Sequence, residues 1–437
     1  KRQKSKRRRK IQRNKWVVRY FDDHDVYEKQ TFKWLPPNLS YLINNTKSDF
    51  HHSKLRNNIP KNNGVFLVPV EFSIVDYPEI AFNFLQQLTG VLLFQSYSIV
   101  EINYSKCVRV DLGAQVLLDL IIKDVITFYK KLRRQSLTTR IKQLNGTNVK
   151  DEEIKKLLHS VGSFAIHGNR ARSFSDIIPY PLCIRDRESS NDAIKISEKK
   201  DIDTTTLVDY VIDSLKRLGK TLTPDKLDDL CTVIGEILIN AEEHSTTKYR
   251  FSIGYFHEKT DDNKHFGVFR LVILNFGKTI YEKFRDPNCP NQTVVDRMKV
   301  LSDSYKLRNI FSKHKFEEET LWTLYALQEG VTSIAPEEYR KRGNGSIQFI
   351  DSFFNIKEDN VADKYSRMCI QSGNAMILFD GEYNIQKKEK NGEMFRVMTF
   401  NDSGDIEVKP DSKYVKFVEN YFPGTIISAR ILFNEDN

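Results

Sequence analysis

GEILINAEEHS, residues 235–245, decides how the second half of the chain is read. It sets carboxylates, an amide and an imidazole among Ile and Leu. Successive residues of an α-helix rotate by about 100°, so with Glu236 at zero Asn240 falls near ~40°, Glu243 near about −20° and His244 near ~80°. These four form one polar stripe. Val233, Ile234, Ile237, Leu238 and Ala241 cover the opposite face. A polar stripe backed by an apolar one marks an amphipathic helix, and on most helices that stripe is simply the wet side. Thr223-Pro224 upstream supplies a cap and a first-turn proline.

Three glycine motifs follow this helix. The apolar run LVIL leads into Asn275-Phe276-Gly277-Lys278-Thr279-Ile280, and Arg342-Gly343-Asn344-Gly345-Ser346 precedes a helical apolar pattern. Phe422-Pro423-Gly424-Thr425 runs into the strand-like IISARILF. Each alone is a weak signal, because glycine marks turns everywhere. Their order and strand contexts after an E-x-x-x-N helix are more specific.

This series resembles the GHKL ATPase superfamily of gyrase B, heat-shock chaperone ATPases, MutL and histidine kinases. The likeness covers residues 204–437 and implies a Bergerat-type two-layer α/β sandwich binding ATP and Mg²⁺. It implies that Glu236 is the general base on the attacking water and that Asn240 ligates the Mg²⁺ bridging the phosphates. By the same likeness Gly277 lies in the turn against the base, and Gly343 and Gly345 present backbone N–H groups to phosphate. Thr425 matches the threonine that helps hold the adenine. Two positions depart from the pattern: the adenine-reading aspartate is Asn275, and the second glycine of the first box is Thr279. ATP and GTP therefore both stay open as ligands. Glu236 together with the N-A-x-x-H run through His244 looks most like the anti-sigma kinases. The segment 281–341 would be the ATP lid, with Arg297, Lys299, Lys306, Arg308, Lys313 and Lys315 as cations that could reach the γ-phosphate.

The first half is also α/β. GVFLVPVEFSI (64–74) is a strand-like run broken by Pro69, YPEIAFNFLQQLTGVLL (77–93) has helical periodicity, and SIVEINYSKCVRVDLGA (98–114) reads as strand, turn and strand. A long helix over 114–135 and another over 151–162 follow, the latter entering a strand near SFAIHG. This half resembles the STAS fold of anti-anti-sigma factors, although Leu112 and Gly113 follow Asp111 where those proteins carry the phosphate-accepting serine. The expected organisation is a basic tail and extended arm over 1–63, a smaller STAS-like domain over 64–184, a linker over 185–203 and the ATP-binding domain over 204–437.

Charge is concentrated at one end. The chain of 437 residues has a net charge of +10 from 68 basic and 58 acidic side chains. Residues 1–15, KRQKSKRRRKIQRNK, hold ten of the basic ones and no acid, so the remainder is balanced at 58 against 58. Such a run attracts nucleic-acid phosphates through counterion release. Cys107, Cys183, Cys231, Cys289 and Cys369 are scattered, without C-x-x-C or histidines at zinc spacing, which speaks for a reducing cytoplasm. His51 and His52 fall in a polar loop. The apolar runs are too short to span a bilayer, and no signal peptide is read.

The function expected is an ATP-binding and ATP-hydrolysing switch in bacterial regulation or phage defence, coupled to a protein partner or nucleic acid, and the resemblance implies an ATP-dependent homodimer. Two alternatives remain: a protein kinase acting on a partner, and a non-hydrolysing, nucleotide-gated nucleic-acid-binding regulator.

Overall fold

The computed structural model describes residues 32–95, 97, 99–136, 143–166, 172–186, 193–243, 245–261, 264–308, 317–333, 345–357, 365–390 and 393–434. The fold is mixed α and β, with separate parallel and antiparallel sheets. The basic run 1–15, His244 and Gly343 lie outside the described residues.

Strands β1 (Val65–Leu67), β3 (Ile99–Asn103) and β5 (Gln143–Thr147) form a parallel sheet in the order β1-β3-β5. Parallel neighbours need crossover connections. Helix α3 (Pro78–Phe94) supplies the first and α4 (Leu112–Arg134) the second, after the short α1 (Pro37–Asn44) and α2 (His52–Asn57). A two-residue pairing of β2 (Glu71–Phe72) with β4 (Arg109–Val110) flanks this sheet. The Asp111 side chain caps α4 by accepting from Gly113 N, which is why the helix begins where the strand stops. Helix α5 (Glu152–Ser160) follows. Among the described residues, 163–166 carry a turn and a bend rather than the strand expected near SFAIHG.

The second sheet is antiparallel throughout, in the order β6-β7-β8-β12-β9. Its strands are β6 (Ile177–Asp186), β7 (Tyr249–Asp261), β8 (Lys264–Phe276), β9 (Arg367–Phe379) and β12 (Val415–Asn434). The hairpin β10 (Gln386–Lys390) and β11 (Glu393–Val397) stands apart from it. Side chains alternate between the two faces of a strand, so each face can carry its own core. Phe269, Leu271 and Ile273 of β8 pack with Leu207, Val211, Val233, Ile234, Ile237 and Ile350 from three helices. Those helices are α6 (Ala193–Lys216), α7 (Pro224–Glu243) and α11 (Gly345–Lys357). On the other face Phe251, Ile253, Val272 and Leu274 join the core of the N-terminal half, including Val116, Leu120 and Ile121 of α4. The antiparallel sheet is thus the middle layer between two bodies of helix.

Two expectations about organisation meet a different arrangement. Strand β6 falls mostly before the boundary at 184 yet pairs with β7 in the second sheet. The stretch read as a linker contains the start of α6 at Ala193, and Asp203 on that helix is 2.6 Å from the buried Arg250 of β7. Asp203 there serves an ion pair with the sheet. Helices α8 (Ile280–Phe284), α9 (Gln292–Arg308) and α10 (Glu318–Ala326) occupy the segment read as a lid. Among the described residues no helix is long and apolar enough to cross a membrane.

Candidate functional site

Helix α7 opens as its sequence suggests, with Lys226 N donating to Thr223 Oγ1 at 3.4 Å. Val233, Ile234, Ile237 and Leu238 are buried in the core, whereas Glu236 and Asn240 stay half-exposed. A cavity of about 350 Å³ lies along that half-exposed side. Glu236 and Asn240 line it one helical turn apart, together with Asn275 of β8, Thr425 and Ile427 of β12, and Ser346 and Phe349 of α11. Lys283 and Phe284 of α8 and Thr332 and Ser333 beyond α10 close the rest. Most of the wall is apolar, with a few convergent polar groups, which is the usual make-up of a small-molecule site.

The structure brings Glu236, Asn240, Asn275 and Thr425 to this cavity. Gly345 is the first residue of α11, the helix whose Ser346 lines it. Gly277 does not line the cavity; its N–H donates to Pro423 O at 3.1 Å and fastens the turn after β8 to the start of the β12 core.

Asn275 is built into the frame. It is 1% exposed. Its Nδ2 donates to Ala241 O at 2.6 Å and its Oδ1 accepts from Thr425 N at 3.1 Å. The amide therefore ties the end of α7 to β12, a task that needs one donor and one acceptor in the same side chain. An aspartate would lack the donor. The β12 backbone comes close at this point because Gly424 sits at φ +147, where a Cβ would collide with the Asn275 carbonyl oxygen.

Thr279 has a local reason as well. It is the N-cap of α8, at φ −67, and with Glu282 it forms a full capping box. The Thr279 hydroxyl accepts from Glu282 N and the Glu282 carboxylate accepts from Thr279 N, each at 3.1 Å. Glycine is not required at that backbone geometry. Burial alone would raise the Glu282 carboxyl, but hydrogen bonds from Lys47 and from the Thr279 N–H outweigh it and hold the group below its ordinary range. Lys47 reaches Glu282 at 2.7 Å from the N-terminal half.

Two contributors escaped the sequence reading. Ser372 of β9, fully buried, accepts from Ile280 N at 2.9 Å, donates to Gly424 O at 2.9 Å and lies 3.0 Å from Thr425 Oγ1. It fixes the floor where α8, β9 and β12 meet. Lys283 brings a cation to the wall one residue after the capping-box glutamate, and the T-x-x-E signal at 279–282 could have placed it on a helix beside the motif.

Among the described residues no group of three His, Cys, Asp or Glu side chains is placed to hold a metal ion. The donors at the cavity, one amide oxygen on Asn240 beside one carboxylate on Glu236, suit a magnesium ion that takes most of its ligands from phosphates and water, not an all-protein cage. Comparison with protein-family models, with curated proteins and with solved structures finds no match for the chain.

Proposed function

We propose that the cavity along α7 binds a nucleoside triphosphate with Mg²⁺, ATP first, and that the protein hydrolyses it as a conformational switch. One observation carries this reading. Residues scattered from 236 to 427, including the E-x-x-x-N pair, Thr425 and the start of α11, line a single cavity of about 350 Å³. We read the antiparallel sheet with α6, α7 and α11 as a Bergerat-type layer, and the parallel-sheet half as STAS-like.

In this reading the apolar wall of Ile273, Ile370 and Ile427 receives the base, with Thr425 at the same end. Asn240 holds the magnesium, which when bound neutralises phosphate charge during phosphoryl transfer. Glu236, one turn earlier, accepts the proton of the attacking water. Asn275 holds the floor in place and leaves the base without a charged partner, so discrimination of ATP from GTP falls to Thr425 and the shape of the apolar wall.

The test is nucleotide binding and turnover by the full chain, with ATP and GTP in Mg²⁺, for wild type and Glu236→Ala. Binding by both proteins and turnover by wild type alone supports the reading. Equal turnover in the two removes Glu236 from the chemistry, and no binding removes the site.

A further inference from the structure

The opposite face of the same sheet carries a second cavity, of about 60 Å³, between the sheet and the N-terminal half. Its lining includes Arg270 of β8, Arg367 of β9, Arg430 of β12 and Arg109 of β4. Arg430 pairs directly across with Arg270 on one side and with Arg367 on the other. Three guanidiniums thus stand in a row on one face of three adjacent strands. Like charges directly opposite each other destabilise a sheet.

Carboxylates answer only part of this charge. Asp76 lies 2.9 Å from Arg367 and 2.7 Å from Arg109, and Glu71 lies 2.6 Å from Arg109. The Asp111 oxygens accept from Ile74 N and Gly113 N. Among the described residues, Arg270 and Arg430 make no ion pair. Arg270 lies over the Tyr255 ring at 5.4 Å, and Arg430 donates through Nε to Tyr365 O at 2.7 Å. Burial, and for Arg430 the neighbouring Arg270, Arg109 and Arg367, pushes both guanidiniums below their ordinary range. They remain charged nonetheless, because arginine does not deprotonate in proteins. The lining holds four guanidiniums against the two carboxylates of Asp76 and Asp111, and the α4 N-terminus at Asp111-Leu112 adds its partial positive charge.

We propose that this cavity is an oxyanion site, separate from the nucleotide cavity, which takes one phosphate group between the N-terminal half and the sheet. A guanidinium fork matches the oxygens of phosphate two at a time. A volume of about 60 Å³ admits such a head group and not a nucleobase. Bound there, the anion joins Arg109 from the N-terminal half to Arg270, Arg367 and Arg430 from the sheet, and so holds the two bodies together. The inference does not depend on the nucleotide reading, since it uses the other face of the sheet.

The experiment follows the thermal unfolding midpoint of the full chain against inorganic phosphate, with EDTA present and ionic strength held constant with chloride. Wild type should show a saturable rise, and Asn240→Ala, altered only in the other cavity, should show the same rise. The double variant Arg270→Met/Arg430→Met should need at least tenfold more phosphate for the same rise. It should melt no lower than wild type without phosphate, because a row of like charges has been shortened. Ser428→Glu, which places a carboxylate in the cavity, should raise the midpoint without phosphate and abolish the response. A phosphate monoester that matches inorganic phosphate marks a metabolite phosphate as the natural occupant, and a weaker one marks the free anion. A response no larger than that to chloride, one retained in the Arg and Ser428 variants, or one lost in Asn240→Ala overturns the proposal.

Discussion

Asn275→Asp separates what the structure says about this position from what the motif resemblance says. Resemblance alone makes the aspartate a restoration, adding a charged acceptor for the adenine amino group and tightening ATP binding. The structure implies a loss. An ionised carboxylate cannot donate to Ala241 O, 2.6 Å away, and would face it oxygen to oxygen. Orphaning a fully buried carbonyl costs about 1–3 kcal/mol, and Ala241, only partly buried at the cavity wall, falls at the low end. Burying the new charge costs more, limited by the carboxyl taking up a proton at ~1.4 kcal/mol per pKa unit. The retained hydrogen bond from Thr425 N, now charge-assisted, returns roughly 1 kcal/mol. The net expectation is a destabilisation of about 2–4 kcal/mol at pH 7. The sign with pH is definite. The new carboxyl has a folded pKa above its unfolded value near ~3.9, so its stability is full below that value and is lost as pH rises through the folded pKa. Urea unfolding at pH 5 and pH 7 should therefore show a smaller deficit at pH 5, and an ATP titration should show no gain in affinity. A variant as stable as wild type at both pH values, with tighter ATP binding, would refute the structural role given to the Asn275 amide.

Two further outcomes follow from local geometry. Thr279→Ala removes the capping box of α8 and should cost ~1 kcal/mol in urea unfolding, because Glu282 N loses its acceptor; no change would mean the box contributes nothing. Asp119 is buried, accepts from Ser163 Oγ, Gln115 Nε2 and Ala165 N, and is pushed up by burial to about 6. Its contribution is present below the ordinary carboxylate range and is lost as pH rises through about 6, by on the order of 3 kcal/mol at most. Stability measured from pH 4 to pH 8 should fall up to about pH 6 and level off above it in wild type, and Asp119→Asn should lack this fall.

How much was legible depended on whether a residue's job was local. Helix α7 was readable because its two stripes are periodic, and the β7–β8 hairpin because apolar runs flank a polar turn. Strand β6 was not, since Pro179 and Pro181 interrupt IIPYPLCIRD. Prolines are tolerated there because β6 is an edge strand with a register shift between Tyr180 and Cys183. The gathering of Glu236, Asn240 and Thr425 at one cavity was expected from motif order. The amide bridge of Asn275 was not, because nothing in Asn-Phe-Gly tells which carbonyl will lie beside it. The arginine row was hidden for the same reason. Residues 270, 367 and 430 become neighbours only through the pairing of β8, β12 and β9.

The most direct measurement is equilibrium binding of a fluorescent ATP analogue to the full chain, for wild type and Asn240→Ala, with Mg²⁺ and with EDTA. The account predicts one saturable site, weakened more than about tenfold by the substitution in Mg²⁺ and little changed by it in EDTA, since a lost charge-assisted metal contact is worth roughly 1.5–3 kcal/mol. Absence of binding in wild type, or binding that ignores Asn240 in Mg²⁺, would contradict the claim that the cavity along α7 holds a magnesium nucleotide.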